Sequence, residues 1–347
     1  MLPPLLMNRK GGSHSKMQSI LNRIVLFLRT RWYVALIGLL LLVWLAIRFR
    51  ENPVLFAQFM VDGIRLGFVY ALIALGYTMV YGIVRLINFA HGDIFMVGAF
   101  TAFYATTHYH WGFLPAMLLA MVVCAFLAVT IERVAYKPLR EAPRIAALIT
   151  AIGVSFFLEY FTALDFVFTP NFISYTPLPI KFKSWDIAGV TFSNIMLIII
   201  AVSTSFLVLL WYIVYRTKLG KAMRATAWDK PTARLMGIDV DLVITFTFAI
   251  GAALAGAGGM LYVVVYPQIR TFLGVMPGLK AFIAAVFGGI GSIPGAFVGS
   301  LIIGMVETLS QGYLSSTLRD AIVFSILIIV LLFRPTGLFG EAAKEKA

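Results

Sequence analysis

Residues 194–214 read NIMLIIIAVSTSFLVLLWYIV and contain no charged side chain. A helix needs about 20 consecutive apolar residues to cross the hydrocarbon layer of a membrane. A strand of a membrane barrel would instead alternate apolar and polar residues over about ten positions. Because residues 195–200 are apolar on every side, this stretch predicts a transmembrane helix rather than a strand.

Similar apolar stretches recur along the chain. The clearest are at 66–84, 113–131, 145–168 and 242–263, and shorter or less apolar ones are at 32–47, 94–107, 295–311 and 318–333. Residues 281–290 are apolar but short, and they run into the sequence GGIGSIPG at 288–295. Irregular backbone at membrane depth is tolerated where it is buried in protein. We therefore predict an all-α, polytopic transmembrane helix bundle of about 9–10 segments, with one short or broken segment near 281–295.

The composition indicates that lipid is the solvent for most of the chain. Apolar residues make up 61% of it and charged residues 12%, against about half and about a quarter in soluble domains. This balance excludes a soluble enzyme and a DNA-binding domain, and a single cysteine, Cys124, excludes an internal disulfide. The four histidines are too scattered for a zinc-protease pattern, so we predict no metal site. A membrane enzyme is disfavoured because no catalytic set can be assembled at membrane depth.

The positive charge is concentrated in four regions of the sequence. Residues 1–32, 132–144, 215–241 and 334–347 contain 19 of the 28 lysines and arginines. Basic residues accumulate on the cytoplasmic side of membrane proteins, so we place these regions in the cytoplasm and the 169–193 loop outside. The formal net charge of +13 is then explained by this bias and by contact with anionic membrane lipid. It does not indicate nucleic-acid binding.

The distribution of apolar and basic residues divides the chain into three predicted regions. Residues 1–50 form a basic tail and an anchor helix, which we expect to stay uncleaved because no small-residue cleavage site follows Ala46. Residues 51–340 form the transmembrane domain, including a cytoplasmic loop at 216–241. Residues 341–347 form a C-terminal tail.

Polar residues that interrupt the apolar stretches are the first candidates for function. Asn88, His91 and Asp93 lie in the sequence NFAHGD between two apolar segments, and Glu159 and Glu307 lie within two others. Ionisable groups at membrane depth are costly and often line a substrate route. The alternative for the first group is a short turn at the inner boundary, with Asp93 capping the next helix. The alternative for the two glutamates is a hydrogen-bonded structural carboxyl group.

Small residues at helical spacing are candidates for close helix packing. Gly295 and Gly299 form a GxxxG pair, and Gly256 and Gly259 belong to a similar small-residue face that includes Ala255. Such residues let helix backbones approach each other in lipid. The run GGIGSIPG lacks the Gly-Lys-Ser/Thr end of a phosphate-binding loop, so we expect no ATP site on this chain.

The 216–241 loop is long for a connection between spans and is a candidate docking element. Its apolar residues Ala225, Trp228, Leu235 and Ile238 are placed to face one partner, on either side of a proline at 231. The alternative is a solvated basic loop.

Three parts of the sequence resemble one family of transporters. They are ALGYTMVYG at 74–82 running into INFAHGD at 87–93, residues 220–238, and residues 280–296. Together they resemble the inner-membrane permeases of branched-chain amino acid ABC transporters, the LivH type, over roughly residues 54–340. The resemblance implies a pore subunit in the bacterial inner membrane that translocates branched-chain or related amino acids.

The resemblance also implies partners. They are a second, LivM-like permease, two cytoplasmic ATPase subunits that bind ATP and magnesium, and a periplasmic binding protein that delivers the substrate. The docking pattern EAA-x3-G of such importers falls on residues 231–233 and Gly237; Ala233 and Gly237 match it, whereas the glutamate is absent. Related permeases carry urea or short-chain amides. An ion-coupled secondary transporter, with Glu159 and Glu307 as coupling groups, is the more distant alternative.

Overall fold

The computed structural model describes residues 43–140, 142–174, 182–334 and 336–340. The predicted crossing at 32–47 therefore lies mostly outside the described residues. The chain divides into two compact units between Phe56 and Ala57. In the first unit residues 43–51 are helical, and the ring of Phe49 packs edge-on against Phe56 at 5.6 Å between ring centres.

Helices form nearly all of the regular structure. They are α1 (Pro53–Val84), α2 (His91–Thr107), α3 (Phe113–Ile131), α4 (Arg144–Thr162), α5 (Asn194–Arg216), α6 (Lys218–Trp228), α7 (Lys230–Leu235), α8 (Val240–Val265), α9 (Val275–Gly288), α10 (Ile293–Tyr313) and α11 (Arg319–Phe333). A π-helical turn (Glu132–Tyr136) and a 3-10 turn (Lys137–Leu139) extend α3. The predicted helical bundle is confirmed.

Four short strands complete the described structure. Strand β1 (Ile173–Ser174) pairs antiparallel with β4 (Gln268–Ile269), so that Ile173 lies opposite Ile269. Strands β2 (Ser184–Ile187) and β3 (Val190–Ser193) form a hairpin. All four lie in connections between helices, which leaves the helices to form the core.

Six helices within the described residues are long and apolar enough to cross a membrane. They are α1, α3 with its extension, α4, α5, α8 and α10. Helix α1 begins at Pro53, earlier than the predicted 66. It includes Asp62 and Arg65, which form an ion pair at 3.0 Å along one face of the helix. Helix α4 ends at Thr162, earlier than the predicted 168. The chain is a multi-pass helical bundle.

Helices α1 and α8 form the centre of the bundle. In their most apolar windows 89% of α1 and 72% of α8 is buried, against 22–33% of α3, α4 and α5. Glycines allow α8 to approach its neighbours closely. A Cβ atom added to Gly256 would lie 2.7 Å from the carbonyl oxygen of Ala120 in α3, and one added to Gly259 would lie 2.6 Å from that of Phe95 in α2.

Two helices begin inside the bundle. After α1 ends, the chain turns back, and the ring of His91 at the start of α2 packs on Tyr77 at 4.6 Å, about two helical turns before the end of α1. The first turn of α9 meets the same point, because a Cβ atom on Gly278 would lie 2.8 Å from the Cα atom of Gly92. The N-terminal ends of α2 and α9 therefore meet within the bundle.

The broken element near 281–295 has a defined geometry. Helix α9 ends at Gly288, and Gly289 and Gly291 adopt φ angles of 109° and 96°, which L-residues with a side chain rarely adopt. The hydroxyl of Ser292 then accepts a hydrogen bond from the Gly295 amide at 3.2 Å and caps α10. Gly295 and Gly299 both face α9, where a Cβ atom on Gly299 would lie 3.0 Å from the Cα atom of Gly288.

Candidate functional site

The turn between α1 and α2 begins at the surface with Arg85 and becomes buried at Asn88 and Ala90. The side-chain oxygen of Asn88 accepts a hydrogen bond of 2.8 Å from the hydroxyl of Tyr136. His91 is buried against Tyr77, and its Nε2 atom has no hydrogen-bond partner among the described residues. The second half of the turn returns towards α1, where Gly76 leaves room for the imidazole because a Cβ atom on residue 76 would collide with the ring. The short turn at the inner boundary stays a prediction.

Asp93 does not cap α2. The N-cap of α2 is Ala90, which forms no side-chain bond, and Asp93 lies in the first turn of the helix. Its Oδ2 atom accepts a hydrogen bond from the hydroxyl of Ser155 on α4, while its Oδ1 atom has no partner among the described side chains. Negative charge in the first turn of a helix is favourable, but here the side chain points across to α4.

Glu159 lies one turn beyond Ser155 on the same face of α4. Its side chain is buried, and it lies near Asp93 because Ser155, one turn earlier on α4, bonds that carboxylate. No lysine or arginine pairs with either carboxylate within the part of the chain that the structure describes. The sequence analysis singled out both carboxylates, and the structure places them on the facing helices α2 and α4.

Glu307 has a different environment, because it belongs to a buried ion cluster. Its Oε1 atom lies 2.6 Å from the Lys280 ammonium and 3.5 Å from Nε of Arg319. Its Oε2 atom accepts a hydrogen bond of 2.9 Å from Tyr70. Lys280 also pairs with Asp320 at 2.8 Å. Sequence reasoning missed Lys280, although it is a lone cation beside an apolar run and so required a partner.

The end of the bundle where α1 ends and α8 begins carries a second set of charges, which we call the basic end; it includes Arg85, Arg140 and Lys230. Glu132 is fully buried there and accepts hydrogen bonds from Arg140 and, at 2.9 Å, from Thr245. Arg140 also bonds Asp241 at 2.5 Å. The structure thus joins the two predicted cytoplasmic loops, 132–144 and 216–241, at one end of the bundle. Sequence reasoning did not single out Glu132.

The candidate docking loop forms two short helices at the basic end. Thr217 caps α6 and Asp229 caps α7, accepting hydrogen bonds of 3.0 and 3.1 Å from backbone amides. Gly237 follows α7 with a φ angle of 82° and open space around its Cα atom.

The loop candidates divide between the surface and the interior. Ala233 is only 4% exposed and Ala225 and Ile238 pack partly against the core, so Ala233 faces inward rather than towards a partner. Trp228 is 73% exposed, and it is joined at the surface by Leu235 and Met236 at 86% and 78%. We call these last three residues the exposed apolar surface. Met236 was not among the residues that the sequence named.

No group of three or more metal-binding side chains occurs among the described residues.

Comparison with known proteins gives consistent matches. The family profile described as the branched-chain amino acid transport system permease component matches residues 59–332. The high-affinity branched-chain amino acid transport system permease protein LivH of Salmonella typhimurium is 40% identical over 316 residues, which cover 85% of this chain and 99% of the relative. The corresponding protein BraD of Pseudomonas aeruginosa is 41% identical over 301 residues, covering 84% and 98%. The LivM protein of Escherichia coli is 24% identical over 320 residues, covering 82% and 71%.

Proposed function

This chain belongs to the family of branched-chain amino acid transport permeases, and we propose that it is the membrane-spanning permease subunit of an ATP-driven importer of branched-chain amino acids. The relatives that are 40% and 41% identical carry that substrate in their names, which supports it over urea or short-chain amides. The proposed location is the bacterial inner membrane, with the basic end in the cytoplasm.

The observation that carries the coupling to ATP is the exposed apolar surface. Trp228, Leu235 and Met236 lie on α6 and α7, beyond the ends of the spanning helices α5 and α8. Large apolar side chains that are exposed to water at one place mark a protein interaction site. We assign this surface to a cytoplasmic ATPase subunit, which supplies the energy that a chain without a phosphate-binding loop cannot supply.

The buried carboxylates support this mechanism over ion coupling. An ion-coupled transporter would use Glu159 and Glu307 as coupling groups, but Glu307 is neutralised by Lys280 at 2.6 Å. Asp93 and Glu159, on facing helices, remain the candidates for the substrate route. A second, LivM-like permease and an external binding protein complete the proposed transporter.

The docking surface can be tested in the assembled transporter. Replacing Trp228 and Leu235 together by alanine should release the ATPase subunits during purification and abolish substrate-stimulated ATP hydrolysis in proteoliposomes. The matched control is Trp185→Ala, because Trp185 is also exposed but lies in the β2–β3 hairpin. Competition of labelled leucine uptake by valine, isoleucine and urea tests the substrate. A double variant that assembles and hydrolyses ATP like the unmodified transporter would remove the basis for the docking assignment.

A further inference from the structure

A cavity of about 390 Å³ opens at the basic end, and we call it the basic pocket. It is lined by residues 83–86 at the end of α1, by Leu139 and Arg140, and by residues 226–231 where α6 is followed by α7. Among the described residues that line it, three side chains are cationic, those of Arg85, Arg140 and Lys230, and one is a carboxylate, that of Asp229. The described lining of the pocket therefore carries a net positive charge.

Two of these cations have no anionic partner within the described chain. Arg140 is bonded to Glu132 and Asp241. Arg85, in contrast, donates only to the backbone oxygen of Ala227 at 3.4 Å, and Lys230 donates to that of Val84 at 3.2 Å. The first contact joins the residue after α1 to α6, and the second joins α7 to the end of α1. Both side chains are therefore held at the wall of the pocket.

Two features of the pocket wall are unfavourable: the positive charges lie close together, and the backbone of Arg85 is strained. Burial, and then the positive charges of three neighbouring arginines, lower the pKa of Lys230 below its ordinary value. Arg85 adopts a φ angle of 60°, a left-handed conformation that is unfavourable for a residue with a side chain. Unfavourable features of this kind persist where the surrounding structure holds them, and they are concentrated at binding sites. An anion in the pocket would relieve the repulsion between its cations.

The position of the pocket indicates which class of anion can enter it. It lies where α1, the most buried of the spanning helices, ends. Its wall includes Trp228, which also belongs to the exposed apolar surface. A protein that covers this surface comes within reach of the pocket.

We propose that the basic pocket receives an aspartate or glutamate side chain of the ATPase subunit, held by Arg85 and Lys230. This inference rests on the proposed function and adds the chemistry of the contact. A guanidinium group and an ammonium group supply several charge-assisted hydrogen bonds to a carboxylate. The apolar surface then provides contact area, and the pocket fixes the register of the partner.

The first test removes the two positive charges without reversing them. In the complete transporter, Arg85→Gln combined with Lys230→Gln should weaken binding of the ATPase subunits by about tenfold or more, and the remaining binding should depend less on salt. The matched control is Lys218→Gln combined with Lys221→Gln, which removes the same charge from exposed lysines of α6 outside the pocket. That control should bind like the unmodified complex.

A second test identifies the partner group directly. A carbodiimide activates carboxylates, and the amine of Lys230 then displaces the activating group to form an amide, releasing a urea. Treatment of the purified complex, followed by mass spectrometry, should show Lys230 joined to an aspartate or glutamate of the ATPase subunit. The Lys230→Gln variant should lack this product. A complex that yields no such product, although its subunits stay associated, would overturn the proposal.

Further outcomes separate the alternatives. If the Arg85/Lys230 double variant loses activity only in bilayers that contain phosphatidylglycerol, and not in detergent or phosphatidylcholine, the occupant is an anionic lipid and the proposal is wrong. If that variant keeps its ATPase while the Trp228/Leu235 double variant loses it, the pocket assignment fails and the proposed function stands. If neither variant affects the ATPase, both fail.

Discussion

Two of the buried acidic side chains, Glu307 and Asp93, have opposite surroundings. Glu307 is 3% exposed and Asp93 is 1% exposed. Glu307 is surrounded by Lys280, Arg319 and the hydroxyl of Tyr70. Asp93 has the hydroxyl of Ser155 as its partner and a second carboxylate, Glu159, as its neighbour.

This difference indicates a structural role for Glu307 and a functional role for Asp93. A carboxylate costs several kcal/mol at membrane depth unless it is paired or faces water. The cluster around Glu307 compensates that cost within the chain and connects α1, α9, α10 and α11 through side-chain bonds. Asp93 and Glu159 lack such compensation among the described residues, so we expect them to meet a positive group during function. The α-ammonium group of an amino acid is one such group.

The largest effect is expected when the ion cluster is broken on one side. Lys280→Met would leave Glu307 buried without its closest cation, and such a change costs about 3–5 kcal/mol. We expect a large fall in the melting temperature of the purified protein and in its yield from membranes. The control is Lys221→Met, because Lys221 is exposed on α6.

A second substitution tests whether the loss of stability in Lys280→Met comes from the unpaired charge of Glu307. Adding Glu307→Gln to Lys280→Met removes both charges and leaves Arg319 and Asp320 paired at 3.1 Å, so most of the stability should return. If the single variant melts at the temperature of the unmodified protein, the cluster does not stabilise the bundle.

The sequence predicted local features well because they depend on neighbouring residues. The apolar run at 194–214 predicted α5 almost to its ends, and the glycines at 288–295 predicted the break between α9 and α10. Asn88, His91, Asp93, Glu159 and Glu307 were singled out because a polar residue in an apolar stretch is visible in the sequence.

Pairings between distant parts of the chain could not be predicted in this way. Glu307 meets Lys280 across 27 positions, and Asp93 meets Ser155 across 62. Which carboxylate receives a cation depends on how α9 packs against α10, and no local pattern records that. The inward orientation of Ala233 follows from the packing of α7 against the core. Nor does the amino-acid spacing show that the turn after α1 returns into the bundle.

The second prediction concerns Asp93 and is of intermediate size. Asp93→Asn keeps the shape of the side chain and its contact with Ser155 but removes the charge. Because no cation compensates the charge of Asp93 among the described residues, removing that charge removes a cost, and the melting temperature should stay the same or rise. Uptake of leucine should nevertheless fall by about tenfold if the charge binds the ammonium group, since a charge-assisted hydrogen bond contributes about 1.5–3 kcal/mol.

A matched variant separates the charge of Asp93 from its hydrogen bond. Ser155→Ala removes the hydroxyl partner and keeps the carboxylate, so uptake should be reduced less than in Asp93→Asn. Equal uptake by Asp93→Asn and the unmodified transporter, at equal amounts in the membrane, would place the substrate route elsewhere.

The smallest expected effect lies in the interaction between the two unpaired carboxylates. If Asp93 and Glu159 are both charged and lack a cation, they repel each other, and Glu159→Gln should raise stability by about 0.5–1 kcal/mol, within the range of couplings between neighbouring residues. The same substitution type at Glu307 should lower stability, because it removes the partner of Lys280. A double-mutant cycle isolates the repulsion: once Asp93 is already asparagine, Glu159→Gln should have no stabilising effect. The measurement is the melting temperature of the four proteins of the cycle in one detergent at one pH. A stabilisation that persists in the Asp93→Asn background would arise from the removal of a lone buried charge at Glu159, and the two carboxylates would then not act as a pair.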